Sequence, residues 1–191
     1  MRYKIIIGVF VLALAISLGF SAYYYLAMAN RQAMINNMRG QVIVAWAKQM
    51  SVVGYYLQNV TTSIDVHGVN ALLRAISSTG SSAWVSDGDL YFQMAFTPDW
   101  VSDNLGPYSE GSPTFVKHID STAIEMIKNL AQIISDTTRL ILDLHIDLTR
   151  RDGGDPIQLL KEEGVLDSLI NGCVNIRNLS TQIYDFNPKF Q

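Results

Sequence analysis

Residues 5–28 read IIIGVFVLALAISLGFSAYYYLAM, and no charged residue lies between Lys4 and Arg31. A helix rises about 1.5 Å per residue, so roughly 20 residues cross a hydrocarbon layer about 30 Å thick. In lipid each backbone N–H and C=O must be bonded within the segment, so a helix is the expected form. Tyr23, Tyr24 and Tyr25 close the run. Amphipathic rings of this kind belong at the boundary between lipid and water. Residues 1–30 therefore read as an uncleaved signal-anchor, with Arg2, Lys4 and Arg31 at its two interfaces. The competing reading is a cleaved leader ending at Ala27-Met28-Ala29. The apolar core of such a leader spans about 7–15 residues, shorter than this run. No second run of comparable length follows. The expectation is a single crossing of the cell membrane, the amino terminus in the cytoplasm and the remaining domain outside it.

Outward from the anchor, the composition is consistent with that placement. The chain has 191 residues, 16% of them charged and 49% hydrophobic, with a net charge of −3. Soluble domains carry about 25% charged residues. The apolar content excludes a disordered chain, and a pI near 5.5 argues against a nucleic-acid partner. Residues 1–64 hold no acid and carry +5, whereas the remainder carries −8. The basic part suits anionic headgroups of a lipid bilayer. One cysteine excludes an intrachain disulfide.

The expected fold class is mostly α: the transmembrane helix, then an extracytoplasmic four-helix-like bundle over 31–186 and a frayed tail over 187–191. Between residues 33 and 64, apolar side chains at Ile35, Met38, Val42, Ala45, Val53, Tyr56, Val60 and Ile64 recur at helical spacing. This segment extends the anchor outward as one rod. A strand reading competes, in which 41–57 and 83–96 pair as a small sheet of an α+β domain, because Val42-Ile43-Val44 and Val52 to Tyr56 include β-branched and aromatic residues. Asp65 reads as the cap of a short helix through Val69, Leu72, Leu73 and Ile76. Ser112-Pro113 opens the most regular pattern. Val116, Ile119, Ala123, Met126, Leu130, Ile133, Thr137, Leu140, Leu144 and Leu148 alternate steps of three and four, predicting one long amphipathic helix. Asp155-Pro156 restarts a helix, Gly164 breaks it, and Val165 to Tyr184 resumes it. The short connection near 149–155 makes the last two long helices antiparallel.

Residues 81–112 read as irregular. Asp87-Gly88 suits a hairpin turn, and Thr97-Pro98 a helix start. Aromatic residues crowd here, and Trp84, Tyr91, Phe96, Trp100 and Tyr108 are the candidate ligand or partner contacts.

The catalytic inventory is thin. His67, His118 and His145 are far apart, and none has metal-ligand spacing. Asp143 and Asp147 share a helix face that His145 does not, and Arg139 precedes Asp143 at ion-pair spacing. Cys173 lies on the apolar stripe of the last helix, where burial makes a thiol inert. Asn59-Val60-Thr61 and Asn178-Leu179-Ser180 match the glycosylation sequon. No metal, cofactor or enzymatic activity is expected. The leading function is a membrane-anchored structural or interaction protein, docking on a protein partner or on a second copy. The alternative is an extracytoplasmic ligand-binding or sensing module that uses the aromatic segment 84–108.

Overall fold

The computed structural model describes the backbone of residues 2–80, 88–113, 117–150 and 154–186, and the side chains of 14–77, 90–113, 117–150 and 154–186. Every regular element among the described residues is a helix. The long elements are α1 (Arg2–Gln58), α2 (Ser63–Gly80), α3 (Gly88–Leu105), α4 (Ser121–Leu142) and α7 (Leu166–Asp185). A 3-10 turn at Gly106–Tyr108 and the short helices α5 (His145–Leu148) and α6 (Pro156–Glu162) connect them. The packing closes a ring: α1 lies on α4, α4 on α7, α7 on α3, α3 on α2, and α2 on α1. The bundle is thus five helices around one core, not four. The fifth is α3, which occupies the segment expected to be irregular. The proposed hairpin does not form: Gly88 begins a helix, while Asp87 and 83–86 fall outside the described residues.

Among the described residues there is no strand, so the strand reading of 41–57 fails. α1 is one unbroken helix of 57 residues. Its inward face is Asn36, Gly40, Ile43, Ala47, Met50, Gly54 and Leu57, in steps of four and three. The sequence pattern had pointed to a neighbouring face, and Ile35, Met38, Ala45 and Tyr56 are exposed. The glycines decide the matter. A Cβ on Gly54 would meet the Ala131 carbonyl oxygen of α4 at 3.3 Å, and one on Gly40 would lie 1.7 Å from the Leu148 carbonyl oxygen of α5. Small residues let backbones approach, and the face that carries them is the one that packs.

α4 starts later than Ser112-Pro113. Asp120 is its N-cap and accepts from the Ala123 N–H at 2.7 Å. That cap satisfies a donor the first turn leaves free. The helix also stops earlier than expected, at Leu142, with α5 restarting at His145. The break turns Leu148 inward against α1, where Asn37 Nδ2 donates to the Thr149 and Arg150 carbonyls at 2.9 and 3.1 Å. α4 buries Ile127, Ile134 and Ile141 beside Ala123, Leu130 and Thr137. This stripe is wider than an a/d seam because α4 faces both α1 and α7.

The remaining caps follow the sequence closely. Asp155 accepts from the Ile157 N–H at 3.0 Å with Pro156 in the first turn. Gly164, at φ 70°, ends α6. Its N–H donates to Lys161, and that of Val165 donates to Leu160, a pair of bonds that needs the left-handed conformation glycine adopts freely. α7 runs antiparallel to α4, and a Cβ on Gly172 would lie 2.4 Å from Thr137 Oγ1. At the end of α7, Lys117 Nζ donates to the Tyr184 carbonyl and, at 2.6 Å, to that of Phe186. It thereby satisfies carbonyls that the last turn leaves free.

Asp65 is not the N-cap of α2; it lies in the first turn. Its carboxylate accepts from the Thr61 and Thr62 N–H groups at 2.9 and 2.8 Å, while Thr62 Oγ1 accepts from the Asp65 N–H at 3.3 Å. This reciprocal pair is a capping box. The bond from the Thr61 N–H, followed by those from Thr62, holds the Asp65 carboxyl below its ordinary 3.8. A depressed acid stabilises the fold above its unfolded pKa, and that contribution is lost as pH falls through the folded one. Asp65→Asn is therefore expected to lower the melting midpoint at neutral pH and to narrow its gap to the parent as pH drops below about 4. A pH series of thermal melts checks this; a gap unchanged at pH 3 refutes it.

Candidate functional site

The described aromatic residues of 84–108 do not converge. Trp84 lies outside the described residues. On α3 the core face is Leu90, Met94, Val101 and Leu105, and Tyr91 is buried beside it. Tyr108, in the 3-10 turn, is fully buried and donates to the Ile183 and Phe186 carbonyls at 2.9 and 3.1 Å. Burial first, then the charge of Asp120, pushes its phenol up to about 12. Tyr91 and Tyr108 are core residues. Phe96 and Trp100 remain on the surface.

They share that surface with Phe92, one helical turn before Phe96. Residues 92, 96 and 100 form a stripe along α3 opposite its core face. The Phe92 and Phe96 rings pack with centroids 4.6 Å apart. Trp100 Nε1 donates to Thr181 Oγ1 of α7 at 3.1 Å, and Asn104 Nδ2 donates to Ser180 Oγ at 3.0 Å. The first of these bonds fixes the indole at the rim of the stripe.

Pro98 sits inside α3, not at a helix start. It has no N–H for the Met94 carbonyl. Trp46 of α1 supplies one instead, its Nε1–H donating to that carbonyl at 2.9 Å in the buried interface. Thr97 Oγ1 donates back to the Gln93 carbonyl at 2.6 Å. The helix thus continues through a residue that ordinarily interrupts one.

The second exposed apolar feature is the shaft of α1. Leu14, Ile16, Leu18, Phe20, Leu26 and Met28 are exposed on every side, and the three tyrosines with them, Tyr25 at 75%. Arg31 is exposed just beyond. Arg2 and Lys4 lie in the helix, but their side chains are outside the described residues. Among the described residues, no helix is long and apolar enough to cross a membrane.

The remaining charged positions form a solvated face. Arg139 pairs with Asp143 at 3.7 Å and Arg150 with Asp147 at 3.4 Å, all well exposed. Such pairs contribute a few tenths of a kcal/mol, about 0.5 at most. His145 Nδ1 lies 2.8 Å from the Leu142 carbonyl oxygen. Among the described residues no group of three metal-ligating side chains forms. Cys173 is buried, and desolvation pushes its thiol up to about 12 against a bond from Thr97 and the charge of Arg177. It is a core residue. Asn59 and Asn178 are both exposed.

Sequence reasoning missed a polar cleft over α2, built around Asn70 and Arg74. Neither residue belongs to a motif. The available signal was the placing of Asn70 and Arg74 among the apolar positions of α2, with His67 one turn earlier.

No protein-family model matches this chain, no curated protein is significantly similar to it, and no solved structure matches its fold.

Proposed function

We propose that this chain is a single-pass membrane protein whose helical domain stands outside the cytoplasm and docks on a protein partner or on a second copy. The observation that carries the reading is the exposed shaft of α1. From Leu14 to Met28 it presents large apolar side chains on all faces. A helix apolar all round belongs in lipid or within protein. The most apolar part of the run, Ile5 to Ala13, directly precedes it in the same continuous helix. Together they exceed the length needed to span a bilayer. The tyrosines follow at the point where a lipid boundary would fall, and burial of α1 by its own chain starts only at Asn36.

Docking draws on the stripe Phe92, Phe96 and Trp100. Aromatic residues in a contiguous exposed row are typical contacts of protein interfaces. The ligand-binding alternative loses ground here, because Tyr91 and Tyr108 serve the core.

The test is expression of the full chain followed by alkaline carbonate extraction and native electrophoresis in mild detergent. Retention in the membrane pellet and a particle larger than one chain support the proposal. Release into the supernatant refutes the anchor, and a strictly monomeric particle that captures no protein on cross-linking refutes docking. The double variant Phe92→Ser and Phe96→Ser is expected to leave the melting midpoint within the range of surface changes, about 0.5 kcal/mol. It should reduce the cross-linked species severalfold. An unchanged cross-linking pattern removes the stripe from the interface.

A further inference from the structure

α2 carries two faces. Val66, Val69, Leu73 and Ile76 enter the core. His67, Asn70 and Arg74, at steps of three and four, line up beside them. The loop after the 3-10 turn crosses over this second face. The Glu110 N–H donates to the Ser63 carbonyl at 3.3 Å, and Ser63 Oγ donates to Glu110 Oε2 at 3.3 Å. Gly111, at φ 81°, turns the loop back beside the His67 ring. Between loop and helix lies a cavity of 170 Å³ lined by His67, Asn70, Arg74, Ser109 and Ser112. A second cavity of 510 Å³ adjoins it, sharing Arg74, Ser112 and Pro113, with Asp103 on its far side.

The inner cavity is built around an anomaly. Asn70 is only 4% exposed, yet neither its Nδ2 nor its Oδ1 has a hydrogen-bond partner. Buried amides are almost always paired. Asn70 offers donors and an acceptor side by side. One helical turn along, Arg74 is oriented by Ser102, whose Oγ accepts from Nε at 3.4 Å. A guanidinium fits a carboxylate in a two-pronged geometry. Among its described lining residues the inner cavity has this cation and no acid. A dry cavity of about 150 Å³ accommodates benzene, which has six heavy atoms.

We propose that this cleft binds a small carboxylate of roughly that size. Its carboxylate pairs with Arg74, and an uncharged hydroxyl or carboxamide at its other end gives and takes hydrogen bonds with Asn70. Residues four apart on a helix stand about 6 Å from each other, so a three-carbon chain reaches both. Ser109, whose Oγ lies 3.3 Å from His67 Nδ1, closes the polar wall. This inference is independent of the membrane proposal.

The test is thermal melting and calorimetric titration of the full chain in detergent. The probes are 3-hydroxypropionate and malonamate, with propionate and propanamide as comparisons, each to about 10 mM. The two bifunctional acids are expected to raise the melting midpoint, propionate less, and propanamide not at all. Arg74→Gln, an exposed position, should keep the fold and weaken acid binding by about tenfold to a hundredfold. Asn70→Leu should melt at or above the parent, because an unpaired amide is replaced by an apolar group of similar size. In that variant the advantage of hydroxypropionate over propionate should vanish. If no carboxylate moves the midpoint, or if Arg74→Gln responds as the parent does, the proposal is overturned.

Discussion

Replacing Gly40 with alanine is expected to destabilise the domain by about 3 kcal/mol, although it adds a single methyl group to a helix. The helix itself would gain, since alanine is favoured over glycine by about 1 kcal/mol in a helix interior. The added Cβ, however, would stand 1.7 Å from the Leu148 carbonyl oxygen. That obstacle is backbone and has no rotamer to escape into, so α5 must move off α1. Movement would also strain the bonds from Asn37 to Thr149 and Arg150. Gly172 offers the control. A Cβ there would lie 2.4 Å from Thr137 Oγ1 and 2.6 Å from Cγ2, both side-chain atoms. Gly172→Ala should therefore be costly alone and largely relieved by Thr137→Ala, whereas no substitution at position 148 should relieve Gly40→Ala. Urea unfolding of the variants checks both statements. A Gly40→Ala protein as stable as the parent would mean that α1 and α5 do not meet as described.

Trp46→Ala is expected to cost about 3–5 kcal/mol, the range for a large aromatic lost from a core. A finer result concerns its N–H. Trp46→Phe keeps most of the ring but leaves the Met94 carbonyl without its partner, at about 1–3 kcal/mol. The reason that carbonyl needs an outside donor is Pro98. With Pro98→Ala, the new backbone N–H can take over the bond within α3. The cost of Trp46→Phe should then shrink by about 1 kcal/mol or more, a coupling that a double-mutant cycle reads directly. Equal costs in the two backgrounds would mean that the indole contributes packing alone.

Such pairs explain how much of the fold could be read in advance. Helix identity was legible wherever caps and periodicity agreed, as at Asp155-Pro156, Gly164 and the stripe of α7. The extent of α4 was not. Its apolar pattern runs across both ends, and Asp120 and the turn at Asp143 stop the helix for reasons of local bonding and contact with α1. The segment now seen as α3 was misread because Pro98 looks like a beginning; the donor that lets the helix pass through it lies 52 positions earlier, at Trp46. The inward face of α1 was misplaced by about one position because hydrophobic spacing ranks Ile35 and Met38 above Gly40 and Gly54. Close approach rewards the absence of a side chain, which no hydropathy pattern records. The candidate contacts divided for a related reason. Six aromatic rings in one stretch looked like one cluster, but a helix sends neighbours to opposite sides. The polar cleft carried no motif, since Asn70 and Ser109 meet only through the fold.

α1 has one further consequence. It runs from Arg2 to Gln58 without a joint, and over its second half it is seated against α5 at Gly40 and against α4 at Gly54, close contacts that leave little play. A torque applied near Tyr24 is therefore delivered at Met50 with hardly any loss of angle. Whatever grips the amino-terminal half works a lever whose far arm is the core itself.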